Sequence, residues 1–274
     1  MKKRLIFFLL FLLVLSACGR NSSQITVISR EEGSGTRSAF VRLSGVLEHG
    51  IDRTYPRAEV SSSTAVVMQT VMGNPNAIGY ISLGSLQENV KALRLDGIAI
   101  SPSNIAQGSY PLARDFLLVT AKKISPQAED FLAFALSGEG QKIIGDLGYV
   151  PIEGGNYTGS QAGGILKVAG SSSLAPVLEK LAAAYEKKNP RLEVQIQITD
   201  SSAGIAALQQ NLCDIAMSSR SLTEGELSQG LQVHSLCKDG IAVIVNLENP
   251  TENLSLSQLK KIFTGEIQDW SLLS

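Results

Sequence analysis

Three stretches of the chain put hydroxyl side chains and glycine at the point where a short apolar, β-branched run gives way to a helical period. They are Glu32-Gly33-Ser34-Gly35-Thr36, Gly170-Ser171-Ser172-Ser173 and Asp200-Ser201-Ser202-Ala203-Gly204. The first turn of a helix leaves its N–H groups unpaired and carries about half a positive charge, so each junction offers several donors to an anion. Taken singly, any of them reads as ordinary N-capping, for which Ser, Thr and Asp are preferred residues. Three of them, all glycine-bearing, point to converging helix ends around one compact oxyanion.

The charges near these junctions extend that reading. Arg30 and Arg37 flank the first stretch, and Arg220 closes Ser218-Ser219-Arg220 at another strand end. A guanidinium can hold two oxygens of a tetrahedral anion at once. Glu31 and Glu32 look misplaced until protonation is considered: a carboxylate accepts a hydrogen bond from a protonated oxyanion and repels a fully ionised one. The bland alternative for each charge is a solvated surface pair.

The elements that must position these groups follow an α/β pattern. Strands are expected at Ile25–Ile28, Ala77–Ile81, Phe116–Thr120, Ile165–Val168, Val194–Ile198, Ile215–Met217 and Ile241–Val245. Helices are expected over Gly35–Leu47, Ser63–Met72, Pro126–Leu136, Glu139–Leu147, Ala175–Lys188, Ala203–Leu212 and Ser257–Phe263. One Gly/Ser-rich stretch, 153–164, has no hydrophobic period and reads as a linker.

At the N-terminus, Met1-Lys2-Lys3-Arg4 precedes an apolar run from Leu5 to Leu15 and then Ser16-Ala17-Cys18. That is the layout of a secretory leader, and the run is too short to span a bilayer comfortably. Leu15-Ser16-Ala17-Cys18 resembles the lipobox of bacterial lipoproteins, which implies a signal peptide over residues 1–17 and lipidation at Cys18. The protein is then expected to be extracytoplasmic and held to the cell membrane by its lipid. The 24 Lys and Arg, less three in the leader, face 25 Asp and Glu, and no basic stripe is present, so nucleic acid is an unsuitable partner. No His/Cys/Asp cluster has metal-ligand spacing, and neither a metal nor a cofactor is expected. Cys213 and Cys237 read either as a disulfide or as two buried thiols. A serine hydrolase would need His49 or His234 as its base, and neither lies in a motif that places it there, so no enzyme activity is expected.

Longer segments resemble the phosphate-binding protein of the high-affinity phosphate ABC transporter. The matching pieces are Ala169–Pro176, Asp200–Ile205, Asp214–Arg220, Ile28–Arg37, Lys238–Val243 and Phe263–Gly265, joined by Asn76–Tyr80, Tyr110–Leu112 and Ser137–Gln141. The resemblance implies a two-lobed α/β fold of the type II periplasmic-binding-protein class, closing by hinge motion over one inorganic phosphate before delivery to permease subunits. It implies phosphate contacts from Ser172, Ser173, Ser201, Arg30, Ser34, Gly35 and Thr36, with Glu32 supporting Arg30. Ser219 stands where some members place an aspartate that accepts the phosphate proton, which leaves the route to selectivity open. Sulfate, molybdate or tungstate binding, or a phosphate sensor or adhesion module without transport, are the other readings.

The order of these pieces departs from the family. There, the Gly-Ser-Ser-Ser segment comes first and the Arg-Glu-Glu-Gly-Ser-Gly-Thr segment follows Phe-Thr-Gly; here the order is reversed. Joining the usual termini through 153–164 and opening a loop near Trp270 gives a circular permutant, as surface loops permit. The rival account is a rearrangement that joined parts of tandem copies. Permutation implies a split lobe of residues 18–89 plus 246–274 and a continuous lobe of residues 90–245.

Overall fold

The computed structural model describes residues 23–159 and 162–273, so the expected leader and Cys18 lie outside the described residues. Eight strands make the main path of one sheet: β1 (Thr26–Arg30), β2 (Glu59–Ser61), β3 (Ala77–Ser82), β4 (Ala113–Thr120), β5 (Gly164–Ser171), β6 (Leu192–Thr199), β7 (Ile215–Ser218) and β8 (Gln232–Val245). Their spatial order is β6-β5-β7-β4-β8-β3-β1-β2. β5 lies parallel to β6 and β7, and β1 parallel to β3 and β2, while β4 and β8 run antiparallel between these two groups. Every residue of β3 is buried, as expected of a strand covered on both faces.

Four helices follow strands at the centre of the molecule: α1 (Gly35–Leu43), α2 (Thr64–Gly73), α3 (Ala175–Lys188) and α4 (Ser201–Gln209). The chain reverses at Gly45, whose φ of 75° suits glycine, so α1 stops at Leu43 and does not reach Leu47. α3 carries Pro176 in its first turn and turns Val177, Leu178, Leu181, Ala182 and Tyr185 inward, an i, i+4 stripe that seats it on the sheet.

β8 joins the two halves. Its residues from Gln232 to Gly240 pair with β4, and Ile241 to Val245 pair with β3. Only the second section is a plain apolar run; the first, with His234, Ser235, Lys238 and Asp239, lacks one and is not foreseen as strand. Each half of the sheet has a hydrophobic core on either face. Phe116, Phe131, Leu178, Tyr185 and Met217 belong to one half's main core, with Val119, Ile205 and Leu231 in the core on the opposite face. Phe40, Tyr80, Tyr110, Ile241 and Phe263 pack in the other half, with Val67, Val71, Val90 and Ile244 across its sheet.

These cores move the expected lobe boundaries. Residues 90–112 and 241–245, assigned by sequence to the continuous lobe, pack in the split one. The reason is local pairing: Lys91–Ala92 bonds to Val245 and Ile244, and Arg94–Leu95 runs parallel to Asn253–Leu254. The chain thus crosses between halves twice, near residue 113 and near residue 240. The crossings lie side by side, with Ala113 opposite Gly240 and the Ile241 N–H donating to the Leu112 carbonyl at 2.9 Å.

The two ends of the described chain are bonded to each other. Ile25 N–H donates to the Gln268 carbonyl and Trp270 N–H to the Ser23 carbonyl, each at 2.9 Å. At the other junction, Tyr157 of the linker packs edge-on to Phe134 and Tyr185, and the Gly138 N–H donates to the Gly155 carbonyl. Cys213 and Cys237 are both free and buried.

Candidate functional site

The N-termini of α1 and α2, from the split half, face those of α3 and α4, from the continuous half. Ser34, Ser63 and Asp200 cap α1, α2 and α4 through their side chains. α3 has Leu174 at its N-cap and no side-chain capping bond, so Ser172 and Ser173 are not consumed as caps. Their hydroxyls cross the cleft instead. Ser173 Oγ lies 2.7 Å from Thr36 Oγ1 and 3.2 Å from Thr64 Oγ1, and Ser172 Oγ accepts from Arg30 Nη2 at 3.3 Å. On the continuous side Ser201 Oγ accepts from the Ser219 N–H at 3.1 Å, and Ser171 Oγ donates to Ser219 Oγ at 2.9 Å.

Backbone geometry brings these groups close. Gly170 has φ of 134°, and a Cβ there would lie 2.4 Å from the Met217 carbonyl oxygen, so only glycine lets β5 turn into α3 beside β7. Gly35 sits against the other half: a Cβ on it would lie 2.2 Å from Ser201 Oγ and 2.6 Å from Ser219 Oγ.

Arg30 ends β1 and is 2% exposed. Its Nε and Nη2 grip the two oxygens of Glu31 at 2.8 and 2.7 Å, and Nη1 donates to Thr64 Oγ1 at 3.3 Å. Behind it, the Arg30 N–H donates to the Tyr80 hydroxyl at 3.1 Å. The Tyr80 ring stacks on Phe40 of α1 with centroids 4.0 Å apart, tying strand and helix together. Burial pushes the Tyr80 phenol above its ordinary pKa, so it stays neutral beneath the arginine.

Of the residues expected at the site, Arg30, Ser34, Gly35, Thr36, Ser172, Ser173, Ser201 and Ser219 come together. Ser34 takes part as a cap, its Oγ accepting from the Arg37 N–H. Glu32 does not join them. The partner of Arg30 is Glu31, because the turn closed by the Ser34 N–H donating to the Glu31 carbonyl points Glu32 outward into an exposed position. Arg37 and Arg220 are engaged elsewhere, with Asp52 and Glu226 respectively. The Arg220 hydrogen bond holds Glu226 below the usual carboxylate range.

Sequence reasoning missed Thr64, Arg114 and Asp239. Thr64 follows Ser61-Ser62-Ser63, a hydroxyl-rich strand-to-helix junction without glycine; that run is the signal that would have found it. Arg114 Nη1 donates to Thr36 Oγ1 at 2.9 Å, and Arg114 pairs with the fully buried Asp239 at 2.9 Å. The arrangement as a whole is a closed, donor-rich cage with two guanidinium groups, suited to a tetrahedral oxyanion. No cluster of three or more metal-ligating side chains occurs among the described residues.

A family model described as a PBP superfamily domain matches residues 17–139 and 155–273. The phosphate-binding protein PstS 2 of Streptococcus agalactiae serotype V is 41% identical over 273 residues, covering 95% of this chain and 93% of that protein. The chain belongs to the PstS family of phosphate-binding proteins. A crystal structure of a phosphate-binding protein of a phosphate ABC transporter from Streptococcus pneumoniae, also 41% identical, superposes with a TM-score of 0.73, covering 92% of this chain and all of that one.

An alignment spanning both chains preserves segment order, so the streptococcal PstS 2 shares the order found here, and a rearrangement confined to this chain does not account for it. The PstS of Bacillus subtilis matches at 31% identity over 137 residues, 49% of this chain and 44% of that protein.

The outward turn of Glu32 has a measurable consequence. Glu32→Gln is expected to leave anion affinities unchanged, whereas Glu31→Gln removes a negative charge beside Arg30. Sulfate binding should then strengthen about tenfold, about 1.4 kcal/mol, narrowing any preference for a protonated anion. Calorimetric titration of both variants with phosphate and sulfate decides it; equal behaviour of the two would contradict the assignment.

Proposed function

We propose that this protein is an extracytoplasmic binding protein that captures one inorganic phosphate in the cleft and hands it to an ABC permease, tethered to the membrane by a lipid on Cys18. The observation that carries the reading is the cross-cleft cage: Arg30, Thr36 and Thr64 from one half meet Ser172 and Ser173 from the other, while Gly35 of the first half sits against Ser201 and Ser219 of the second. Hydrogen bonds made from both halves to one anion favour the closed state, and release to a permease then needs only that the halves part. The continuous half runs from about residue 113 to 240. The split half carries both ends of the described chain, so it is the one the anchor would hold nearest the membrane.

A second reading, another oxyanion such as sulfate, draws on Ser219. Three neighbouring carboxylates are engaged: Glu31 with Arg30, Asp239 with Arg114, and Asp200, through Oδ1, with the Ala203 N–H, while Glu32 points outward. The phosphate proton would then be accepted by a hydroxyl lone pair, which discriminates against sulfate less sharply than an open carboxylate. Calorimetry of the unlipidated protein with phosphate, sulfate and molybdate at two pH values separates the readings. Saturable binding of one phosphate, not displaced by equimolar sulfate, is expected. Sulfate competing on equal terms would make this a general oxyanion binder.

A further inference from the structure

Arg114 and Asp239 are partners in the β4–β8 register, at the point where the chain crosses twice between the halves. Their side chains are 2% and 0% exposed. Asp239 is fixed on both oxygens: Oδ1 accepts from Ser82 Oγ at 2.8 Å and from the Leu83 N–H at 3.2 Å, and Oδ2 accepts from Arg114 Nε at 2.9 Å. The guanidinium carbon stands 4.9 Å from the centre of the Phe116 ring. Burial pushes the Asp239 carboxyl up and the Arg114 guanidinium down, each opposed by the charge of the other. Burying two charges costs several kcal/mol per ion, and such a pair seldom stabilises a fold more than apolar side chains of the same size would.

The remaining arm of Arg114 points at the anion cage. Nη1 donates to Thr36 Oγ1, from the split half, and lies 3.3 Å from the Ser219 carbonyl oxygen, from the continuous half. A guanidinium only donates, so Thr36 Oγ1 must accept from it and turn its single proton elsewhere. Ser173 Oγ lies 2.7 Å away within the cage, and either hydroxyl can be the donor there, so the Thr36 proton is free to turn into the cage. Arg30 treats Thr64 and Ser172 in the same way from the opposite side.

We infer that Arg114, held by Asp239 at the crossing strands, is a positioning residue of the anion site: it fixes the Thr36 hydroxyl as a donor to the ligand and bridges both halves in the closed state. This rests on the phosphate reading above. Because the effect runs through Thr36, the cost of losing Arg114 should depend on whether that hydroxyl is present, which a purely structural role would not produce.

The test is a double-mutant cycle read by calorimetric titration with inorganic phosphate. Arg114→Gln is expected to weaken binding about tenfold in the otherwise unaltered protein, and less than about threefold in a Thr36→Val background. Should Arg114→Gln fail to fold, Arg114→Lys carries the comparison. Lysine keeps the charge beside Asp239 but has no second arm for Thr36, so the same background-dependent loss is expected. An equal loss in both backgrounds, or no loss in either, overturns the inference while leaving phosphate binding intact. Absence of phosphate binding by the unaltered protein overturns the phosphate reading itself, and the inference with it.

Discussion

Replacing Arg30 by alanine is expected to weaken phosphate binding by about 2–5 kcal/mol, or roughly thirtyfold to several-thousandfold, the largest loss of any single side chain in the cage. Two effects add. Removing the guanidinium deletes the cation that donates to Thr64 and Ser172 and so orients two of the hydroxyls meeting across the cleft. It also leaves Glu31 without the partner that gripped both its oxygens, so a negative charge then faces the anion. The double variant Arg30→Ala, Glu31→Gln separates these contributions and should recover part of the loss. Calorimetry gives the affinities, and an Arg30→Ala protein that binds phosphate as tightly as before would remove Arg30 from the site. The fold should tolerate the change better than a change at Asp239, because the Glu31 side chain is 24% exposed and its freed carboxylate can be hydrated, whereas Asp239 is wholly buried.

The parts of this site that the sequence announces are those built from local signals. A hydroxyl next to glycine at a strand-to-helix junction marks the starts of α1 and α4 and the approach to α3, and Arg30 stands out because it directly precedes such a junction. The missing parts depend on contacts distant in sequence. Arg114 is one charged residue in Leu112-Ala113-Arg114-Asp115-Phe116, and nothing local tells it from Asp115; only the register that sets it opposite Asp239, 125 residues away, buries it. Glu31 and Glu32 are chemically equivalent on paper, and a single turn hydrogen bond decides which one meets Arg30. The halves divide near residues 113 and 240, and not at 90 and 245, for a related reason. The two-residue strands that tie 90–112 to 241–254 are too short to carry a period, so their allegiance lies in pairing that sequence does not display. The overall α/β architecture was readable because the longer strands and helices each bury a continuous or periodic apolar set.

Gly35→Ala should separate stability from binding and move them in opposite directions. Gly35 is the first residue of α1, where alanine is the better helix former by up to about 1 kcal/mol, so the unliganded protein is expected to melt no lower than before. In the closed cleft the added methyl has no room: it would sit 2.2 Å from Ser201 Oγ, 2.6 Å from Ser219 Oγ and 3.0 Å from Ser201 Cβ, all on the other half. The strain therefore exists only when the halves come together, and an overpacked contact of this kind costs about 1–3 kcal/mol, which is roughly 5- to 150-fold in phosphate affinity. Melting curves with and without phosphate read both effects at once. The unliganded transition should stay in place or rise while the upward shift produced by phosphate shrinks, since that shift reports binding to the folded state alone. A variant that binds phosphate normally would mean that the liganded cleft stands wider at Gly35 than the closed cage described above, and the cross-cleft contacts of Thr36 and Ser173 could not then both persist around the anion.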